Sequence, residues 1–279
     1  MNKSRAPHLI GKWALNILVT LFSITCVFPL IWMLYSSLKT QKEFSLNIIS
    51  LPAKPQFHNY SDAYRIGKMQ TYFWNSAYVS IISVALIIVI GFIVAYFLSR
   101  YKFPGATAIY LLFLSGMLIP IHGLLIPVFV EFKVLHLLNQ HYTLILPYVA
   151  FGLPMVIFLM ESFIRSIPME MEEAAVVDGS TTVRTMFTII LPMCLPVLST
   201  GLILSFLSSW NEFPFALVLL SRDSLKTLPV GLTNFNGQFS VNYTQMMAGM
   251  MIVVLPVLVT YLAFSKRIIQ GMTAGAVKG

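Results

Sequence analysis

The apolar residues of this chain fall in long unbroken runs, not in alternating or heptad patterns. The intervals 13–38, 69–99, 103–130, 134–160, 185–211 and 227–265 hold no Asp, Glu, Lys or Arg. A helix crosses ~30 Å of hydrocarbon with ~20 mainly apolar residues, so each interval admits one crossing. The last interval is the longest, but a polar stretch over 234–245 holds it to one as well. Residues 84–95, VALIIVIGFIVA, are apolar on every side. That pattern suits a lipid-facing or buried helix and lacks the ten-residue alternation of a membrane β-barrel. The runs predict an all-α integral membrane protein with six transmembrane helices, near 14–36, 76–98, 106–129, 142–163, 188–211 and 246–265. The whole chain, 1–279, then forms a single transmembrane domain.

Composition agrees with the pattern. Hydrophobic residues make up 57% and charged residues 10% of the 279, against roughly 25% charged in soluble domains. A soluble chain of this size has no core able to hide so much apolar surface, and a disordered chain is too polar to resemble it. Two cysteines, Cys26 and Cys194, exclude a disulfide scaffold and read as small apolar fillers. The net charge of +8 belongs to the loops of a membrane protein and makes no case for nucleic acid. Six crossings place both termini on one side. If that side is the cytoplasm, the short inside segments carry a small excess of Lys and Arg, among them Arg100, Lys102, Arg165 and Arg184.

The pieces between the runs differ in information. Residues 40–75 form the longest external piece, with a short helix expected over 59–66, capped by Asn59 or Ser61. Residues 221–245 read as loop. The tail 271–279, GMTAGAVKG, is small and expected to be flexible. The connection 161–186 says most. Pro168 suits a first helical turn with Ser166 as its cap, and Glu170, Glu172 and Glu173 favour the positive end of the helix dipole. Ala174 and Ala175 let another backbone approach closely, and Gly179 accepts the left-handed conformation that ends a helix. Ser180, Thr181 and Thr182 offer caps to a second helix. A plain solvated connector is one reading of this segment, and a protein docking element is the other.

The residues of this connection carry a resemblance. Glu173-Ala174-Ala175-x-x-Asp178-Gly179, nine residues, then Ile189-x-Leu191-Pro192 matches the EAA signature of bacterial ABC-importer permeases. Ser209-Trp210-Asn211-Glu212-Phe213, Thr227-Leu228-Pro229-Val230-Gly231-Leu232 and the tail from Gly271 to Gly279 are similar to the sugar-importer, maltose-system branch. The resemblance implies a type I ABC importer permease fold in a bacterial inner membrane, with both termini cytoplasmic. It implies four kinds of company: a second related permease, two ATP-binding cassette ATPases, an extracytoplasmic solute-binding protein and membrane lipid. It also implies that 161–186 is a cytoplasmic coupling loop in which Glu173, Ala174, Ala175, Asp178 and Gly179 meet the ATPase.

This division of labour fits what the chain lacks. It has no GxxxxGK[ST] phosphate loop, so no cofactor is expected here and ATP with its Mg²⁺ is expected on the partner ATPases. HExxH and GxSxG are absent as well, so no enzymatic role is expected. His136 and His141 lie near an outer surface with no carboxylate or cysteine pattern to complete a metal site.

Glu212 is followed by apolar residues, 213–220, and a charge at membrane depth usually faces a cavity or the bundle interior. Ser209, Trp210, Asn211 and Glu212 together offer hydroxyl, indole, amide and carboxylate groups suited to a sugar in a translocation path. The alternatives are a contact between two permeases and a helix cap. At the level of function, a carbohydrate importer leads. A non-sugar solute such as a glycerophosphodiester or polyamine, or a proton-coupled transporter using Glu212, are the other readings.

Overall fold

The computed structural model describes residues 5–235 and 241–276, and all of the regular elements among them are helices. In chain order these are α1 (Arg5–Ser37), α2 (Gln41–Leu46), α3 (His58–Ile66), α4 (Met69–Arg100), α5 (Ala106–Gly116), α6 (Leu125–Val134) and α7 (Ile145–Ser166). There follow α8 (Glu170–Val177), α9 (Thr182–Thr185), α10 (Leu191–Met193), α11 (Leu195–Trp210), α12 (Pro214–Leu219), α13 (Leu228–Gly231) and α14 (Tyr243–Ala276). Short 3₁₀ turns precede α6 and flank α13, and one turn of π-helix, Met186–Ile190, joins α9 to α10.

Four helices are long and apolar enough to cross a membrane unbroken, and two bent pairs bring the number of crossings to six if each pair is one span. The sequence pattern places spans at 106–129 and 188–211, with Pro120 and Pro127 expected to kink the first, and both contain a sharp bend. The first is Ala106–Gly116 and Ile121–Val134, bent by 90°. The amides of Met117, Leu118 and Ile119 fall back to three-residue turns, and Pro120 is extended at ψ 102 with no N–H to continue the ladder. The second is Thr182–Met193 and Leu195–Trp210, bent by 78°. There Pro192 and Pro196 remove two helical donors four residues apart, and the π turn lies just ahead of them.

Three smaller expectations also change. Asn59 does not cap its helix, which begins at His58; its buried amide donates to the carbonyls of Ser37 and Lys39, both at 2.8 Å. Residues 223–235 form two 3₁₀ turns and α13 instead of loop, whereas 236–240 lie outside the described residues. The tail continues α14 as far as Ala276, and its last three residues lie outside the described ones.

The chain divides into two compact units. The first, residues 1–69 and 232–254, packs the end of α1, α2, α3 and the start of α14. Thr40 and Glu43 form a reciprocal capping box on α2. The ring of Phe44 stacks on Tyr243 at 5.6 Å, and Gln245 donates to Asp62 at 3.1 Å. Fully buried Lys39 caps the turn by donating to the carbonyls of Asn47 and Ile48. By contrast, the most apolar window of α1 has no part buried within the chain, so it requires apolar surroundings from outside.

The second unit, 70–231 with 255–279, has a core where α4 meets α7 and α11. Ile87, Phe92, Tyr96, Val156, Met160 and Ile190 are its centre. Two glycines set the spacing of α4 and α7. A Cβ on Gly91 meets the Val156 side chain at 2.7 Å, and one on Gly152 meets the Ile87 side chain at 2.5 Å, so each helix seats a branched side chain directly on a glycine of the other. A second cluster, including Phe132, Leu144, Tyr148, Phe215 and Leu219, packs α12 against α6 and α7. Asn139, in the left-handed region at φ 56, staples the two together. Its side-chain oxygen accepts from the amides of Ser221 and Arg222 at 2.6 and 2.8 Å.

Candidate functional site

The sequence singles out two places, and both lie in the second unit. At one, α11 ends at Trp210 and the chain turns before Pro214 opens α12. Glu212 occupies that turn. Its Oε1 accepts from the amide of Phe215 at 2.7 Å, and its Oε2 accepts from the amide of Ala216 at 3.0 Å and from the Tyr148 hydroxyl at 2.6 Å. Two orphan amides of α12 are thereby satisfied, and both carboxylate oxygens act as acceptors. The apolar run through 213–220 is thus preceded by a helix break, and the carboxylate there is stabilised by three donors, with no Lys or Arg paired to it among the described residues.

The same carboxylate lines a cavity of about 410 Å³. Ser205, Ser208 and Ser209 enter it from α11, Asn211 from the turn, and His122 from the bend between α5 and α6. Ile87, Phe151 and Phe215 supply apolar walls. Trp210 takes no part in the lining. Its ring is 3% exposed and packs edge-on against Phe73 at 5.6 Å, with Phe206 at 5.5 Å. So Ser209, Asn211 and Glu212 meet at one cavity, and Trp210 supports the helix end behind them. His122 and Tyr148 belong to the site without any local signal in the sequence. Only the 90° bend and the packing of α7 bring them there.

At the second place, the connection after α7 folds as α8, a turn, and α9. Ser166 does not cap α8; its hydroxyl returns to the carbonyl of Phe163, and Met169 holds the cap position without a side-chain bond. The C-terminus matches the expectation from Gly179. That residue sits at φ +80, its amide bonds Val176 O at 2.9 Å, and the Ser180 amide bonds Ala175 O at 2.8 Å. Thr181 then caps α9 through the amide of Arg184.

Helical spacing gives α8 two faces. Glu172 and Ala175 are buried. Glu170, Glu173, Ala174 and Val177 share the opposite face and are exposed, as are Asp178 and Gly179 beyond the helix end. Glu172 is what fastens the inner face. It accepts from Arg100 Nε at 2.5 Å and from the Tyr96 hydroxyl at 2.7 Å, while Arg100 Nη2 donates to Ile167 O at 3.0 Å. Arg100 and Tyr96 lie one turn apart at the end of α4, so a single turn of that helix fastens the inner face of α8 and the chain leading into it. The i, i+3 spacing of Glu172 and Ala175 is the sequence signal for this buried face; Glu173 heads the exposed one. No group of His, Cys, Asp and Glu able to hold a metal occurs among the described residues.

Four apolar helices of crossing length, and two bent pairs, define a multi-pass membrane protein. The chain belongs to the family of binding-protein-dependent transport system inner membrane components, which it matches over residues 87–272. It is 34% identical to a sulfoquinovosyl glycerol transport system permease protein of Agrobacterium fabrum, over 96% of this chain and 95% of that one. It is also 34% identical to a diacetylchitobiose uptake system permease protein of Streptomyces coelicolor, over 92% and 86% respectively. In fold it is similar to a chain of the bacterial ABC transporter involved in import of the acidic polysaccharide alginate. That TM-score is 0.83 at 22% identity, covering 95% of this chain and 99% of the other.

Proposed function

We propose that this chain is the transmembrane permease of an ABC importer for a mono- or oligosaccharide, with both termini in the cytoplasm. The observation that carries the carbohydrate reading is the near full-length similarity to permeases named for sugar-containing solutes. The cavity supports it: hydroxyls, a carboxamide and an imidazole beside aromatic walls suit a solute with both hydroxyls and a C–H face.

In this reading the exposed face of α8, with Glu173, Ala174 and Asp178 up to Gly179, docks on an ATPase subunit that binds the ATP and Mg²⁺. Ala175 contributes from below by packing α8 down. Closure of two ATPases moves α8, and the Arg100–Glu172 contact passes that movement to α4, whose Ile87 lines the cavity. Coupling needs a stiff link whose fit differs between two states, and a buried ion pair with a phenol and a carbonyl in attendance is stiff. A second permease and a solute-binding protein complete the transporter.

The test is uptake into proteoliposomes holding this chain with its partner subunits. The reading expects saccharide accumulation that requires ATP and persists when a protonophore collapses the proton gradient. Uptake without ATP that stops with the protonophore would instead assign Glu212 a proton-carrying role.

A further inference from the structure

A second property of the cavity concerns the charge of its solute. Among the described residues that line it there is no Lys or Arg, and its one formal charge is the negative one on Glu212. Two backbone amides and the Tyr148 hydroxyl all point at that carboxylate, so they are spent on it and stabilise no second anion. A carboxylate or sulfonate brought here from water loses its hydration, gains no cation, and meets a like charge in a medium of low dielectric. The other polar groups, Ser205, Ser208, Asn211 and His122, each offer donors and acceptors together. A sugar hydroxyl, itself both donor and acceptor, satisfies them; an anion uses only the donors.

We infer that the cavity admits neutral saccharides and excludes sugar acids, with Glu212 as the residue that sets this charge selectivity; the inference rests on the carbohydrate-importer reading above. Glu212 thus has two tasks, capping α12 and barring anions. A glutamine separates them, since its amide oxygen still accepts an amide of α12 while the charge is gone.

The experiment is calorimetric binding to the complete transporter in nanodiscs, without the solute-binding protein, so that only the membrane subunits select. Neutral gluco-, xylo- and arabino-oligosaccharides are compared with oligogalacturonates of equal length. The inference expects at least one neutral series to bind and the uronates to bind at least about tenfold more weakly, with Glu212→Gln narrowing that ratio by about tenfold. Ser208→Lys, which leaves the α12 cap intact and adds a cation to the lining, is expected to narrow it as well. Uronates binding wild type as tightly as every neutral series would overturn the inference while leaving a carbohydrate importer in place. So would an unchanged ratio in both folded variants. Binding of no saccharide, together with no saccharide uptake in the proteoliposomes, would reject the importer reading and this inference with it.

Discussion

Arg100 Nε lies 2.5 Å from Glu172 Oε1, and the two side chains are only 6% and 10% exposed. One belongs to the end of α4 and the other to the inward face of α8, so this pair joins the apolar bundle to the connection that follows α7. Removing one partner of a buried pair strands the other charge, at a cost of about 3–5 kcal/mol. Glu172→Ala and Arg100→Ala are each expected to reduce transport more than tenfold while the chain still inserts. Arg100→Lys keeps the charge but loses the planar fork that also reaches Ile167 O, and is expected to fall between wild type and Arg100→Ala. In a double-mutant cycle read by uptake at fixed membrane abundance, Arg100 and Glu172 should couple by at least about 1 kcal/mol. Additive effects would show that the pair does not act as one link.

Gly179 tests the turn that follows. At φ +80 with open space around its Cα, any side chain there is strained by backbone conformation alone, not by contact. Gly179→Ala is expected to destabilise the α8–α9 turn by about 1–2 kcal/mol. Gly179→Pro also removes the amide bonded to Val176 O and cannot adopt this φ, so it should abolish transport without loss of insertion. Normal uptake by the proline variant, measured beside its abundance in membranes, would count against a rigid α8.

Asn211 and Trp210 are neighbours with different expected phenotypes. Asn211→Ala removes a cavity group and is expected to alter the KM for solute with little change in stability. Trp210→Ala leaves a hole beside Phe73 and Phe206 and is expected to cost about 3–5 kcal/mol of stability. Thermal unfolding and uptake kinetics, measured on both, separate the two roles.

Glu43 gives the first unit a pH dependence. The Thr40 amide, first among its partners, holds the Glu43 carboxyl below its ordinary value of 4.5. A depressed carboxyl stabilises the fold when ionised, so its contribution is present at neutral pH and is lost as pH falls below that value and through the folded one. The fall in melting temperature between pH 7 and pH 4 should therefore be smaller in Glu43→Gln than in wild type.

The six apolar intervals were legible because lipid demands long uncharged helices, and the Glu173–Gly179 run was legible because α8 is ended by local chemistry. Pro120 was legible as a kink, but the size of the 90° bend beside it and the 78° break at Pro192 were not. A hydropathy run records how apolar a segment is and not its direction, and prolines are common in membrane helices that stay straight enough to span. Pro154, inside an unbroken α7, is such a case. Glu212 was legible as unusual, but its three donors come from α7 and from residues after it, and only packing brings Tyr148 into reach. Arg100 and Glu172 are 72 positions apart, so their pairing had no local trace.

The central claim is that the exposed face of α8 couples this chain to an ATPase. The most direct measurement is co-purification of tagged wild type and Glu173→Lys from detergent-solubilised membranes, with bound proteins identified by mass spectrometry. The account predicts an ATPase and a second permease with wild type, and loss of the ATPase alone with the variant, because Glu173 is exposed and takes no part in holding α8. Equal recovery of the ATPase with both chains, or a wild type that purifies alone and transports without ATP, would contradict it.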